Sequence, residues 1–232
     1  MRLLSFLLTA TLILGVAVPL LLYAANTPLP RAWNPVKPLH ITDPVTPVTG
    51  WKLSRASRNG EVCLAALDTG AVTFEPMEDF EASEVCHIRD RVRLSSVGPT
   101  ALDPVETRCQ TALRLALWEE HGLRPLAEDL LGAPLARLDH FSSYSCRPIR
   151  TPGGNSDRMS THARAESIDI SGVTLPGGER IPLTSGWEER PELFVGMRDS
   201  ACDWFGVVLG PDYNRLHADH FHFQNGGWGL CR

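Results

Sequence analysis

The hydrophobic pattern first marks off an unbroken run: Arg2 is followed by LLSFLLTATLILGVAVPLLLYAA, with no charged position from Leu3 to Ala25. A helix of that length can cross a bilayer. A cleaved leader has a shorter apolar core and a small-x-small cleavage site. Here Leu22-Tyr23-Ala24 puts leucine where a small residue is needed. Residues 1–25 therefore read as an N-terminal membrane anchor in preference to a signal segment, with Arg2 on the cytoplasmic side. The next stretch, NTPLPRAWNPVKPLHITDPVTPV, has prolines 28, 30, 35, 38, 44 and 47. Proline cannot donate to a ladder and favours extended chain, so residues 26–50 read as a semi-rigid linker. Trp33, Leu39 and Ile41 are its points of docking.

From Trp51 to Arg232 the pattern becomes that of a globular domain. Short apolar runs predict strands at Val62–Leu67, Val72–Phe74 and Val92–Leu94. Asp103-Pro104-Val105-Glu106 has the form of a capped helix start, and the helix runs through CQTALRLALWEEH to a stop at Gly122. Its apolar stripe is Cys109, Ala112, Leu113, Ala116 and Leu117. A second helix is predicted at Pro125–Leu131, a strand at Leu138–Phe141, and a Gly/Pro-rich loop through SSYSCRPIRTPGGNS. Ser167–Leu175 reads as a strand, Pro191–Trp204 as a helix and Phe221–Gln224 as a closing strand. The expected class is α+β, an antiparallel sheet with helices packed on it.

Composition narrows the function. The formal net charge is −5 and no block of Lys and Arg stands out, so no nucleic-acid partner is expected. Six cysteines without a C-x-x-C pair suit three disulfides in an exported chain. Fifteen connectivities are possible. Closing local loops favours Cys63–Cys86, Cys109–Cys146 and Cys202–Cys231.

Four of the eight histidines fall in two short segments, STHARAESIDI and HADHFHF. A catalytic zinc takes three His or carboxylate ligands and leaves a position open. His162 and Asp169 suit a loop residue and a strand residue on one edge, while strand alternation puts His220 and His222 on one face and Phe221 and Phe223 on the other. Strict alternation would also turn Asp219 away from His222, so Asp219 must lie on a bulge or before the strand begins.

The pattern S-x-H-x6-D…D-H-x-H (Ser160, His162, Asp169; Asp219, His220, His222) resembles that of zinc peptidases related to D-Ala-D-Ala carboxypeptidases, lysostaphin-type enzymes and the hedgehog domain. SYSCR, STHARAESIDISG, FGVVLGPDYN and HADHFHF together resemble the bacterial extensin-like C-terminal domain family over Trp51–Arg232. The resemblance implies one zinc ion on His162, Asp169 and His222, with Asp219 taking a proton from an activated water that attacks an amide bond. It implies His220 as the partner that stabilises the oxyanion or protonates the leaving amine, Arg147 as a clamp for a substrate carboxylate or carbonyl, and Ser160 as a hydrogen-bond donor. The chain departs from the peptidases at Ala165 and Ser167, where Gly and Ala are common. His217 is expected on the rim, and His121 and His140 in structural roles.

The implied activity is that of a metallopeptidase on peptidoglycan peptides. It would work at the periplasmic side of the inner membrane, or free in the periplasm if the leader is cleaved. The competing expectation is a non-catalytic wall- or protein-binding module that keeps the fold.

Overall fold

The computed structural model describes residues 2–23 and 28–232. Helix α1 (Arg2–Tyr23) has no buried residue in its Leu4–Leu21 window, and that window, with mean hydropathy 2.3, is long and apolar enough to cross a membrane. Ala24 and Ala25, the end of the expected anchor, lie outside the described residues. The proline-rich stretch is laid on the domain. Ala32, Leu39 and Ile41 are buried, the Thr46 hydroxyl donates to the Ala32 carbonyl (2.8 Å), and the Thr69 hydroxyl accepts from the Ile41 N–H (2.9 Å). Trp33, by contrast, is half exposed.

Helices α2 (Thr49–Ala56) and α3 (Gly60–Leu67) follow. The expected strand at Val62–Leu67 is thus wrong. The Asn59 side chain caps the helix by accepting from the Val62 N–H (3.0 Å), and Cys63, Ala66 and Leu67 bury one helical face. A short apolar run does not separate strand from helix, and the cap decides it.

Strands β1 (Val72–Pro76), β2 (Phe80–Ser83), β3 (Cys86–Ile88), β4 (Arg91–Val97) and β5 (Thr100–Arg108) come next. The Asp103-Pro104-Val105-Glu106 signature therefore does not open a helix. It lies within β5, where Val105 and Thr107 point inward and Glu106 is less buried. Pairing of β4 with β5 shifts between Leu94 and Ser96, opposite this segment, so Pro104 sits where the ladder is already broken.

Helix α4 (Cys109–Trp118) starts one residue after β5. It does not stop at Gly122: a π-helical turn, Glu119–Leu123, carries it into α5 (Arg124–Leu131). Gly132, at φ 74°, ends it instead, in the left-handed conformation that suits glycine. Gly122 serves close packing, since a Cβ there would lie 2.9 Å from the Ser200 Cβ.

The remaining elements are β6 (Arg137–Ser142), the exposed hairpin β7 (Pro148–Thr151) and β8 (Gly154–Met159), β9 (Ser167–Thr174), β10 (Arg180–Pro182), α6 (Leu183–Glu189), α7 (Pro191–Ala201), β11 (Val207–Leu209), β12 (Phe221–Gln224) and β13 (Leu230–Cys231). The main sheet has the order β1-β4-β5-β6-β9-β12-β11-β13, with β10 also on β9. Its pairings are antiparallel except β5 with β6 and β11 with β13. The chain is thus α+β with a mostly antiparallel sheet. Ile168, Ile170, Phe221 and Phe223 are fully buried and belong to one core with Trp118, Phe194 and Phe205. Trp118 and Phe205 meet the Phe223 ring at centroid distances of 5.1 and 5.0 Å.

Three disulfides staple this arrangement: Cys63–Cys109, Cys86–Cys146 and Cys202–Cys231. Only the last was expected. The expected Cys63–Cys86 and Cys109–Cys146 pairs are replaced because tertiary packing, not loop length, sets the partners. Cys63 on α3 faces the start of α4, with Cα atoms 6.1 Å apart, and Cys86 on β3 meets the segment after β6, at 5.5 Å.

Candidate metal centre

Strands β9 and β12 are adjacent in the middle of the sheet, and their register places His222 directly opposite Asp169. Directly opposed residues have Cβ atoms about 5 Å apart, close enough for one ligand to span them. The alternation that puts Ile168, Ile170, Phe221 and Phe223 in the core leaves Asp169 and His222 on the other face. The third group comes from a 3₁₀ turn, Thr161–Arg164, just before β9. Ser160 caps it by accepting from the His162 N–H (3.3 Å), and Ala165 ends it in a left-handed conformation (φ 49°). A left-handed backbone suits glycine best, yet here an alanine adopts it while fully buried.

The result is a triangle of ligand atoms. His162 Nε2 lies 3.1 Å from Asp169 Oδ1 and 3.1 Å from His222 Nδ1, and the last two are 2.9 Å apart. Atoms bound at 2.0–2.2 Å to one tetrahedral centre stand about 3.3 Å apart, so the donor set and spacing fit a single zinc ion. The protons argue the same way. His162 Nδ1 donates to the Ser143 carbonyl (2.9 Å), which leaves a lone pair on Nε2. Only His222 Nδ1 then has a proton to share among three close atoms, whereas a cation would satisfy all three. Burial alone pushes the Asp169 carboxyl up; when His162 and His222 are both protonated, as they can be only without a cation between them, their hydrogen bonds and charges hold it well below the ordinary carboxylate range.

The triangle opens on a cleft of about 310 Å³ lined by Arg147, Ser160, His162, His217, His220 and His222 among others. His220 points Nε2 toward Asp169 Oδ1 (3.7 Å) and pairs Nδ1 with Asp219 Oδ1 (2.7 Å). Asp219 precedes β12, as the alternation argument required. Its side chain is 56% exposed and is not part of the cleft lining, so it reaches the site through His220. Arg147 is lowered from the usual guanidinium value by burial and by Arg150, which also lines the cleft. His217, expected on the rim, lines the cleft with its ring centroid 5.3 Å from that of His220; its Nδ1 lies 2.9 Å from Asn214 Oδ1, and burial with the nearby His220 and His222 lowers it to about 4. His121 (to the Ile41 carbonyl, 2.7 Å) and His140 (to the Asp103 carbonyl, 2.9 Å) are structural.

A family model described as "Extensin-like protein C-terminus" matches residues 61–232. The chain belongs to this family. A search of curated proteins and a search of solved structures found no match. The matched part of the extensin-like domain contains the whole triangle, the cleft and all three disulfides. It begins inside α3, so the docked proline-rich stretch lies outside it.

Sequence reasoning missed Ser143, Arg150, Tyr213 and Asn214, which the structure places at the site. Ser143 acts through a backbone carbonyl, for which no side-chain signal exists. Tyr213 and Asn214 end the FGVVLGPDYN segment, whose likeness to the family was their only signal.

Proposed function

We propose that the extensin-like domain is an exported, zinc-dependent peptidase acting on peptidoglycan peptides, held at the periplasmic face of the inner membrane by α1. The observation that supports this best is the convergence of His162 Nε2, Asp169 Oδ1 and His222 Nδ1 at a cleft that also presents His220 and Arg147. Bound zinc supplies the Lewis acidity that turns a water into a nucleophile near neutral pH. The chain's own residues do the rest. Ser143 fixes the His162 tautomer. Asp219 orients His220 through Nδ1, so His220 Nε2 is free to accept a proton and later return it to the leaving amine. The Arg147 guanidinium, without a carboxylate partner among the described residues, would hold a substrate carboxylate or carbonyl, and the Ser160 hydroxyl would donate to the same peptide.

The test is digestion of purified peptidoglycan by the zinc-loaded full chain, read as new free amines and released fragments. Wild type should cleave, His162→Ala should not, and His220→Ala, which removes the proton-transfer group, should be slowed about 10²–10⁴-fold. No cleavage by the zinc-loaded wild type, or full activity in His162→Ala, contradicts the reading. One observation favours a non-catalytic wall- or protein-binding module: the exposure of the Asp219 carboxylate. On that reading Asp219→Asn would leave the cellular role intact while deletion of the domain abolishes it.

A further inference from the structure

The stretch from Pro28 to Arg58 differs in charge from everything around it. It has Arg31, Lys37, Lys52, Arg55 and Arg58 against the single acid Asp43, a net of +4 in a chain of net −5. The remainder therefore carries −9. On α2, Lys52, Leu53 and Ala56 are buried, whereas Trp51 and Arg55, one helical turn apart, face outward, and Arg58 is exposed in the turn that follows the helix. The Arg55 guanidinium lies over the Trp51 ring (5.8 Å) and donates to the Val36 carbonyl (3.3 Å). Lys52 Nζ donates to the Arg31 carbonyl (2.5 Å), which holds the turn carrying Trp33 against α2.

Leu29, Trp33, Val45 and Trp51 are each between 41% and 56% exposed. Beside them, Lys37 and Arg55 line an apolar groove of about 280 Å³ in which Glu61 is the one carboxylate. Lys37, Arg55 and Arg58 have no carboxylate partner among the described residues.

Exposed tryptophans interleaved with basic residues suit the headgroup layer of an anionic bilayer, where an indole has one apolar and one polar side and each cation gains from the surface potential. The chain length points to the same occupant. From Tyr23 to Pro28 the chain can extend about 18 Å at most, at about 3.6 Å per residue. Whatever surface holds α1 is therefore within reach of this face. We propose that the Pro28–Arg58 face docks on the surface of an anionic bilayer, through Trp33, Trp51, Lys37 and Arg55, and holds the extensin-like domain flat against the membrane instead of on a free tether. No residue of the His162 cleft takes part, so the peptidase reading stands or falls separately.

The test uses residues 28–232. All three disulfides and the hydrophobic core, Leu39 to Phe223, lie in that span, and α1 adds nothing to the core, so the fragment folds without it. Its sedimentation is measured with vesicles of phosphatidylcholine alone and of phosphatidylcholine with phosphatidylglycerol. Binding should need the anionic lipid, weaken with added salt, and fall about fivefold for each of Lys37→Gln and Arg55→Gln. Trp33→Ala with Trp51→Ala should lower it at least as far, and the exposure of both residues keeps that variant folded. No binding to anionic vesicles, binding indifferent to phosphatidylglycerol, or wild-type binding by the double tryptophan variant overturns the proposal.

Discussion

Glu119 offers the clearest quantitative test of the packing described above. It sits in the π-helical turn between α4 and α5, is 1% exposed, and is pushed up from 4.5 to about 7. Burial is the main cause, and the Glu120 charge adds to it. Arg124, whose Nη2 lies 3.3 Å from Oε2, and the Thr100 hydroxyl oppose it. A Cβ at Gly98 would fall 2.2 Å from Oε2, so the backbone presses on the carboxyl there. Because the folded value is raised, the folded state holds its proton where the unfolded chain has released it. The stability from this proton is fully present below about pH 4.5 and is lost as pH rises through about 7. Each pH unit of that gap is worth about 1.4 kcal/mol, so the loss totals about 3 kcal/mol. Glu119→Gln keeps the shape and removes the titration. Urea unfolding of both proteins from pH 5 to pH 8 isolates this group, since other titrations cancel in the difference. The glutamine variant should gain about 2–3 kcal/mol on wild type across that range. A constant difference, or one that shrinks as pH rises, would show Glu119 ionised in the fold and refute the argument.

The proposed zinc site and the fold around it carry further expectations. Zinc at a hundred times its dissociation constant adds about 2.7 kcal/mol, so chelation should lower the melting temperature by about 5–10 °C in wild type. In Asp169→Asn the same chelator should shift nothing, and an equal shift in both proteins would place the metal elsewhere. Replacing Cys86 and Cys146 by serine opens a loop of sequence separation 60 and should cost about 4 kcal/mol in a denaturation curve. Because Arg147 follows Cys146, the same variant should raise KM more than it lowers kcat. Phe223→Ala should cost about 3–5 kcal/mol by leaving a cavity against Trp118 and Phe205, and should weaken zinc binding by loosening the strand that carries His222. An unchanged zinc affinity would show that the site does not depend on the core face of β12.

The sheet around the site was legible because its strands alternate: DHFHF and ESIDIS each separate a core set from a polar set two residues apart. The register that opposes His222 to Asp169 was not legible, because it is fixed by packing across strands far apart in sequence. Asp103-Pro104 misled because a cap signature and a bulged strand draw on the same residues, and only the broken ladder between β4 and β5 tells them apart. The cysteine partners were hidden for a related reason. Loop length favours neighbours in sequence, whereas Cys86 and Cys146 meet because two strands and a connecting segment do. Asp219 was expected as the base itself, but its carboxylate lies outside the cleft lining and touches His220 Nδ1, which required the turn before β12 to be seen.

The central claim is that His162, Asp169 and His222 form one zinc site. Metal analysis of the purified full chain after equilibration with zinc and removal of free metal tests it most directly. The account predicts one zinc per chain in wild type and none in His162→Ala, Asp169→Asn or His222→Ala when each remains folded. A wild-type protein without zinc, or His162→Ala retaining a full equivalent, would contradict it.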